Sequence, residues 1–266
     1  MPVERQGRPP FGEERLRFGY QGQGGPGARV YPVNLGWGEA GLEALAPVSN
    51  VLVIIDVITF TTTVAVAVER GCRIYPSPWI EEEARELAAR WGAALAVGRS
   101  QASAEHPYTL KPASLEQARR GESIVLPSPN GSALAALAGR SGKLVLAGSL
   151  RNAAAVARRA RRLGGVISVI AAGERWGDGS LDPALEDLIG AGAILDGLRR
   201  RRRSPEAATA AAAFRHARRQ GLAAVLSGCA SGREQTARGH GDEIAWAAAL
   251  NVSRLAPELS RGAFSA

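Results

Sequence analysis

At 266 residues, 45% of them hydrophobic and with a mean hydropathy of -0.07, the chain is large enough to bury a substantial core, and its apolar runs fall far short of the roughly 18 residues a membrane span requires. Two cysteines, Cys72 and Cys229, exclude a disulfide framework and set the expectation of reduced thiols in the cytoplasm. The formal charge of +8 is spread as arginine pairs through helices, and its one dense run, Arg199–Arg203, has no interleaved aromatics; solvated helix faces are therefore expected, with neither nucleic acid nor membrane as partner.

Residues 1–29 are rich in Gly, Gln, Arg and Pro and lack an apolar leader segment, so a loose arm is expected ahead of a single α/β domain over residues 30–266. An edge strand is expected at Val30–Leu35 and a short helix at Trp37–Leu45. The run VLVII at 51–55 has the length and β-branching of a buried parallel strand. Helical spacing over Thr61–Arg70 stops at Gly71, a C′ glycine. A strand at Cys72–Tyr75 then precedes an amphipathic helix at Trp79–Trp91, whose first turn carries three glutamates where the helix dipole favours them. Ala93–Val97 reads as a strand and residues 98–115 as an irregular excursion over the active rim, followed by a helix around Ser114–Arg120. Strands at Ser123–Leu126, Lys143–Ala147 and Val166–Ala171 alternate with helices at Ser132–Ala138 and Asn152–Leu163. A loop at Trp176–Pro183 leads to helices at Ala184–Arg200 and Pro205–Arg219. Gly221–Leu226 reads as a turn and short segment, Cys229–Glu234 as a loop or helix start, and Asp242–Ala249 as a last helix. Strand and helix alternate at βαβ intervals, which places the chain in the α/β class.

Polar clusters end several of the apolar runs, and in an open α/β sheet that rim is where ligands bind. Asp56 closes VLVII as either a metal ligand or a turn cap. The hydroxyls of Thr61, Thr62 and Thr63 follow it at a helix start, where they could donate to phosphate or merely cap. The turn Ser128-Pro129-Asn130-Gly131-Ser132 has the composition of an anion nest with positive φ at Asn-Gly, although no Walker loop is present. Asn152 either caps the Ala-rich helix or faces the site. Glu174, Arg175 and Asp178 share a flexible rim loop. Glu186 and Asp187 sit in an otherwise apolar helix, where buried carboxylates need a cation: a divalent metal, or an arginine. Arg233 is a candidate for bidentate anion contact. Asp242 and Glu243 read as an acidic first turn, and Cys229 has no histidine partner to activate it.

The motifs WGEAGLEAL (37–45), VIIDVITFTTTVAVAVERG (53–71), PSPNGS (127–132), GSLRNAAAVA (148–157), AAGERWGDGSLDPALEDLIGAGAI (171–194) and CASGREQTARG (229–239) resemble, in collinear order, the magnesium-dependent 2-phosphosulpholactate phosphatases of coenzyme M biosynthesis, especially their bacterial branch. The resemblance implies a three-layer α/β/α fold with a mostly parallel or mixed central sheet, phosphomonoester hydrolysis with Mg2+, and Asp56, Glu186 and Asp187 as site residues. Methanogen-type members carry Arg in place of Thr59 and of Ala133, Gly-Glu in place of Gly98-Arg99, and Gly-Asn-Ser-Pro within Thr109–Ala113. Those departures widen the expected substrate to another small phosphorylated hydroxy acid.

The expected mechanism has Asp56, Glu186 and Asp187 holding Mg2+. Thr61, Thr62, Thr63, Ser128, Asn130, Gly131, Ser132, Asn152, Arg175 and Arg233 bind substrate, and Glu174 or Asp178 transfers protons. A homodimer is the default assembly. The rival expectations are a non-catalytic small-anion-binding protein and a nucleic-acid module built on Arg199–Arg203.

Overall fold

A computed structural model describes residues 31–266, so the arm expected over residues 1–29 lies outside the described residues, as does Val30. In chain order the elements are β1 (Val33–Trp37), α1 (Gly38–Leu45), β2 (Val51–Ile55), α2 (Phe60–Glu69), β3 (Arg73–Ser77), α3 (Glu81–Trp91) and β4 (Ala94–Leu95). Then come β5 (Ser123–Pro127), α4 (Gly131–Gly139), β6 (Leu144–Gly148), α5 (Ala153–Leu163), β7 (Ile167–Ala171), β8 (Glu174–Arg175) and β9 (Leu181–Asp182). The remainder is α6 (Leu185–Gly197), α7 (Pro205–Gln220), α8 (Leu222–Gly228), α9 (Ala230–Ala237), α10 (Asp242–Ala248), β10 (Glu258–Ser260) and β11 (Ala263–Ser265).

Nine strands form one sheet in the order β1-β7-β2-β6-β10-β11-β3-β5-β4. The alternation of side chains along β2 divides the interior. Val51, Val53 and Ile55 face a core shared with α5, α6 and α7, whereas Leu52 and Ile54 face one shared with α2 and α4. A smaller core joins Tyr75 and Val125 to Ala84 and Ala88 of α3. Helices therefore cover the sheet on both sides in the expected three-layer arrangement, and every residue of β2 is buried. No helix among the described residues is long and apolar enough to cross a membrane.

The sheet is mixed in a particular way. Strands β1, β7, β2 and β6 are mutually parallel, as are β3, β5 and β4. Between them lies the C-terminal hairpin. β10 pairs antiparallel with β6 at Glu258 and Leu146, β11 pairs antiparallel with β10, and β3 pairs antiparallel with β11 at Ile74 and Phe264. Three reversals make the second parallel group run opposite to the first. The hairpin is absent from the sequence reading because three-residue strands are too short to show alternation. Its anchor is Phe264, fully buried and edge-to-face with Phe60 at 6.4 Å.

Other boundaries also differ. The helix expected at Ser114–Arg120 is only a 3-10 turn at Pro112–Leu115, started by Pro112. The strand expected at Ala93–Val97 shortens to two residues, and Gly221–Leu226 is the start of helix α8 rather than a loose segment. Gly71 does end α2 with φ +81°, the left-handed conformation a C′ glycine supplies. Within the dense arginine run, Arg201 donates to the Gly165 carbonyl, Arg203 donates to that of Leu195, and Arg202 covers the Tyr31 ring at 4.8 Å.

Candidate active site

Asp56 directly follows β2 and lies in a tight turn into α2. Its Oδ1 accepts the Phe60 amide at 3.2 Å and its Oδ2 accepts the Gly131 amide at 2.8 Å. The second bond comes from the turn after β5, so the oppositely running half of the sheet delivers its loop to the end of β2. Glu174, on β8, follows the neighbouring strand β7, and its Oε2 accepts the Asn130 amide nitrogen at 2.7 Å. Glu186, in the first turn of α6, accepts a hydrogen bond from the Cys229 thiol at 3.3 Å. Asp56, Glu174, Glu186, Asn130, Ser128 and Cys229 share one open cavity of about 890 Å³.

Asp56 and Glu186 are buried, at 7% and 2% exposed, and Glu174 is half-buried. Among the described residues none of the three, nor Asp187, forms an ion pair. Burial raises Asp56 to about 6 despite its two amide donors, and the Glu186 charge adds to the rise. Burial, followed by the Asp56 charge, lifts Glu174 to about 7. Asp187 is held well above the usual carboxylate range by burial and by the charges of Asp56 and Glu186. The sequence left open a neutralising arginine for the α6 carboxylates; the structure provides none.

The expected metal trio is not assembled as such. Asp187 does not line the cavity; its Oδ1 accepts the Val57 amide at 2.7 Å and its Oδ2 the Gly173 amide at 2.9 Å, so it ties the ends of β2 and β7 to α6, whereas Asp56, which also accepts two amides, faces the cavity. No group of three or more His, Cys, Asp or Glu side chains placed to hold a metal occurs among the described residues. What the cavity offers instead is a pair, Asp56 and Glu186, unneutralised and oxygen-only. That donor set fits a hard divalent cation that keeps most of its coordinated water.

Several expected substrate contacts prove to be internal. Thr61 donates to the Asp56 carbonyl at 2.7 Å, Thr62 to the Val57 carbonyl at 2.7 Å, and Thr63 to the Leu110 carbonyl at 2.6 Å. All three are fully buried, because α2 lies inside the protein and its hydroxyls must find protein acceptors. Ser132 donates to the Leu126 carbonyl and accepts from the Ser77 amide. Asn152 accepts from the Ser149 amide and donates to the Ala147 carbonyl; its side chain thus braces the turn before α5, makes no cap hydrogen bond to that helix, and does not line the cavity.

Most of the anion nest is also consumed, the Asn130 N–H being the one amide of the turn with no acceptor among the described residues. Ser128 N–H donates to Ser77, Gly131 N–H to Asp56 and Ser132 N–H to the Ser128 hydroxyl, while Pro129 has no N–H. Nor does Gly131 have positive φ; its small size, not its backbone freedom, is what the site uses.

Asp178 is exposed, tied to Ser180, and lowered by that hydrogen bond; it does not line the cavity, which separates it from Glu174. Arg175 lines the cavity and pairs with Glu39 at 2.8 Å. Arg233 lines it too and donates to the Gly228 carbonyl. Cys229 caps α9, accepting from the Gly232 amide at 3.3 Å, and burial pushes its thiol up to about 11, which is unsuited to a nucleophile.

The sequence reading missed one pair. Glu243 is not an exposed first-turn acid: it is fully buried, and Arg99 grips it through two hydrogen bonds, Nε to Oε1 at 3.1 Å and Nη2 to Oε2 at 2.7 Å. The signal was available, since Glu243 shares the apolar stripe of Ile244 and Ala247 along α10.

Fold and cavity together define an α/β enzyme with an acidic, solvent-open site. The chain belongs to the 2-phosphosulpholactate phosphatase family, whose model matches residues 42–262 and so includes every cavity residue named above. Members of that family are phosphoric monoester hydrolases.

Proposed function

We propose that the protein hydrolyses 2-phosphosulpholactate, or another small phosphorylated hydroxy acid, in a Mg2+-dependent reaction. The observation that carries this reading is the pair Asp56 and Glu186: buried, unneutralised carboxylates facing one cavity in a chain of this family. Burial raises Asp56 to about 6, so a cation beside it would favour its ionised form. Asp56 and Glu186 would hold the ion, with Asp187 fixing the strand ends beneath them. Bound Mg2+ supplies positive charge to the phosphoryl oxygens.

The chain's own residues perform the rest. The Ser128 hydroxyl, which accepts from Ser132 and retains its proton to donate, and the Asn130 amide orient the phosphoryl group. Arg233 and Arg175 offset its negative charge from the cavity wall. Glu174, raised to about 7, keeps a large protonated fraction near neutrality and gives its proton to the departing alkoxide. Its bond from Asn130 points it at the same place as the phosphate-orienting side chain.

The test is phosphate release from 2-phosphosulpholactate and from three-carbon phosphorylated hydroxy acids, with and without Mg2+. Metal-dependent turnover of at least one is expected. Binding of these esters without release of phosphate would favour a non-catalytic anion-binding protein, and salt-sensitive nucleic-acid binding alone would favour the module reading.

A further inference from the structure

We propose that Arg99 receives the second acidic group of the substrate, a carboxylate or sulphonate. This rests on the phosphomonoester reading above and names the residue that selects among such esters. Arg99 lies in the irregular stretch after β4 and lines the cavity that holds Asp56 and Glu186. Its guanidinium spends Nε and Nη2 on Glu243 and has Nη1 unused among the described residues. Glu243 is fixed from the other side by the Thr59 hydroxyl at 3.2 Å, and Thr59 belongs to the same turn as Asp56. The guanidinium is thus locked in one pose relative to the carboxylate at the reaction centre.

The exposures of the two partners differ in the way a binding residue requires. The Glu243 side chain is fully buried, whereas that of Arg99 is 27% exposed. An arginine placed only to neutralise a buried glutamate gains nothing from an open face on a polar cavity. One placed to bind an oxyanion needs both a rigid hold and free N–H groups, because a pre-organised fork loses little entropy on binding. The stretch carrying Arg99 is pinned further along, by Thr63 to Leu110 and by the Lys111–Asp242 ion pair at 2.7 Å, so the cation does not move with a free loop. The other cavity arginines are held less firmly: Arg175 and Arg238 pair with exposed glutamates, and Arg233 rests on a carbonyl.

The experiment compares two esters, 2-phospholactate and isopropyl phosphate, which differ by one carboxylate, in the wild-type protein and in R99K. Lysine keeps a charge against Glu243 but lacks the fork. The ratio of kcat/KM for the two esters is expected to fall roughly 10- to 100-fold in R99K, mostly through KM, as for a lost hydrogen bond between charged groups. Adding 2-phosphosulpholactate tells whether carboxylate or sulphonate is the group received.

If Arg99 only braces α10, R99K melts at a lower temperature and neither this ratio nor the ratio of 2-phosphosulpholactate to 2-phospholactate changes, which overturns the assignment. If the wild-type protein turns over none of the three esters, 2-phosphosulpholactate included, the hydrolase reading fails by itself, and Arg99 is judged on calorimetric binding of sulpholactate. Weakening of at least tenfold in R99K then supports its role; equal binding, or none to the wild type, overturns it. Should R99K not fold, R99M/E243Q removes both charges together and takes its place in each comparison.

Discussion

Gly131 and Asp56 approach so closely that a methyl group on Gly131 would stand 2.4 Å from both Cβ and Oδ2 of Asp56. The Gly131 amide donates to that same oxygen, so one residue both fixes the carboxylate and leaves room for it. Substituting alanine forces Asp56 or the turn to move. G131A is expected to lower stability by about 1–3 kcal/mol, as overpacking does, and to reduce phosphatase activity by more than the stability loss explains. Thermal melts and steady-state kinetics on the same preparation check this; a variant with wild-type kinetics would show that the contact is incidental.

Glu186 is expected to be indispensable for metal response. In E186Q the rise in melting temperature that Mg2+ produces in the wild-type protein should vanish, with activity reduced about 1000-fold or more, the scale of a lost electrostatic contact at a reaction centre. Differential scanning fluorimetry with and without Mg2+ reads the first effect. An undiminished metal response in E186Q would remove Glu186 from the site.

The pH dependence of stability follows from the raised carboxylates. Asp56 titrates at about 6 in the folded protein against 3.8 in the unfolded chain, and Glu174 at about 7 against 4.5. The unfolded state therefore releases these protons first as pH rises. The stability these two groups contribute to the metal-free protein is fully present below their unfolded values and is lost as pH climbs through 6 and 7. For Asp56, a displacement of about two units corresponds to roughly 3 kcal/mol. Because Mg2+ binds ionised carboxylates, its stabilising effect should instead grow over the same range. Melting curves from pH 5 to pH 8, with Mg2+ and with chelator, test both slopes, and parallel curves would contradict the shared site.

Glu174 and Asp178, equivalent in sequence, are expected to separate in mutagenesis. E174Q removes a proton donor and should lower kcat about 100-fold or more. D178N changes an exposed loop carboxylate and should alter kcat less than twofold, roughly the scatter among surface substitutions. Comparable losses in the two would argue against proton transfer by Glu174.

The threonine cluster gives a test of the opposite kind. T62V removes a buried donor to the Val57 carbonyl and should cost about 1–2 kcal/mol of stability while KM stays near the wild-type value. A rise in KM without loss of stability would restore Thr62 to the substrate.

What could be read along the chain was set by local physics. The run at 51–55, the glycine after α2 and the Ser-Pro start of α7 each carry their cause within a few residues, and the structure places these elements within a residue or two of the expectation. Asp56 and Glu186 stood out for a similar reason, as charges attached to apolar stretches. Where the reading failed, the deciding partner was remote. The three threonine hydroxyls could serve a phosphate or a carbonyl, and only the burial of α2 chose the carbonyls. Asp187 has the same chemistry as Glu186 one residue away, yet the Val57 and Gly173 amides claim it.

The amino-acid order alone thus determined the alternation of strand and helix, the family and the acidic character of the site, because periodicity, caps and collinear motifs are properties of neighbouring residues. Tertiary structure decided which carboxylates face the cavity, that the Ser128, Gly131 and Ser132 amides are spent on the protein itself, and that Arg99 meets Glu243 across 144 positions. Burial and hydrogen-bond saturation are properties of the assembled interior. They become defined only when the two opposed halves of the sheet close around the C-terminal hairpin.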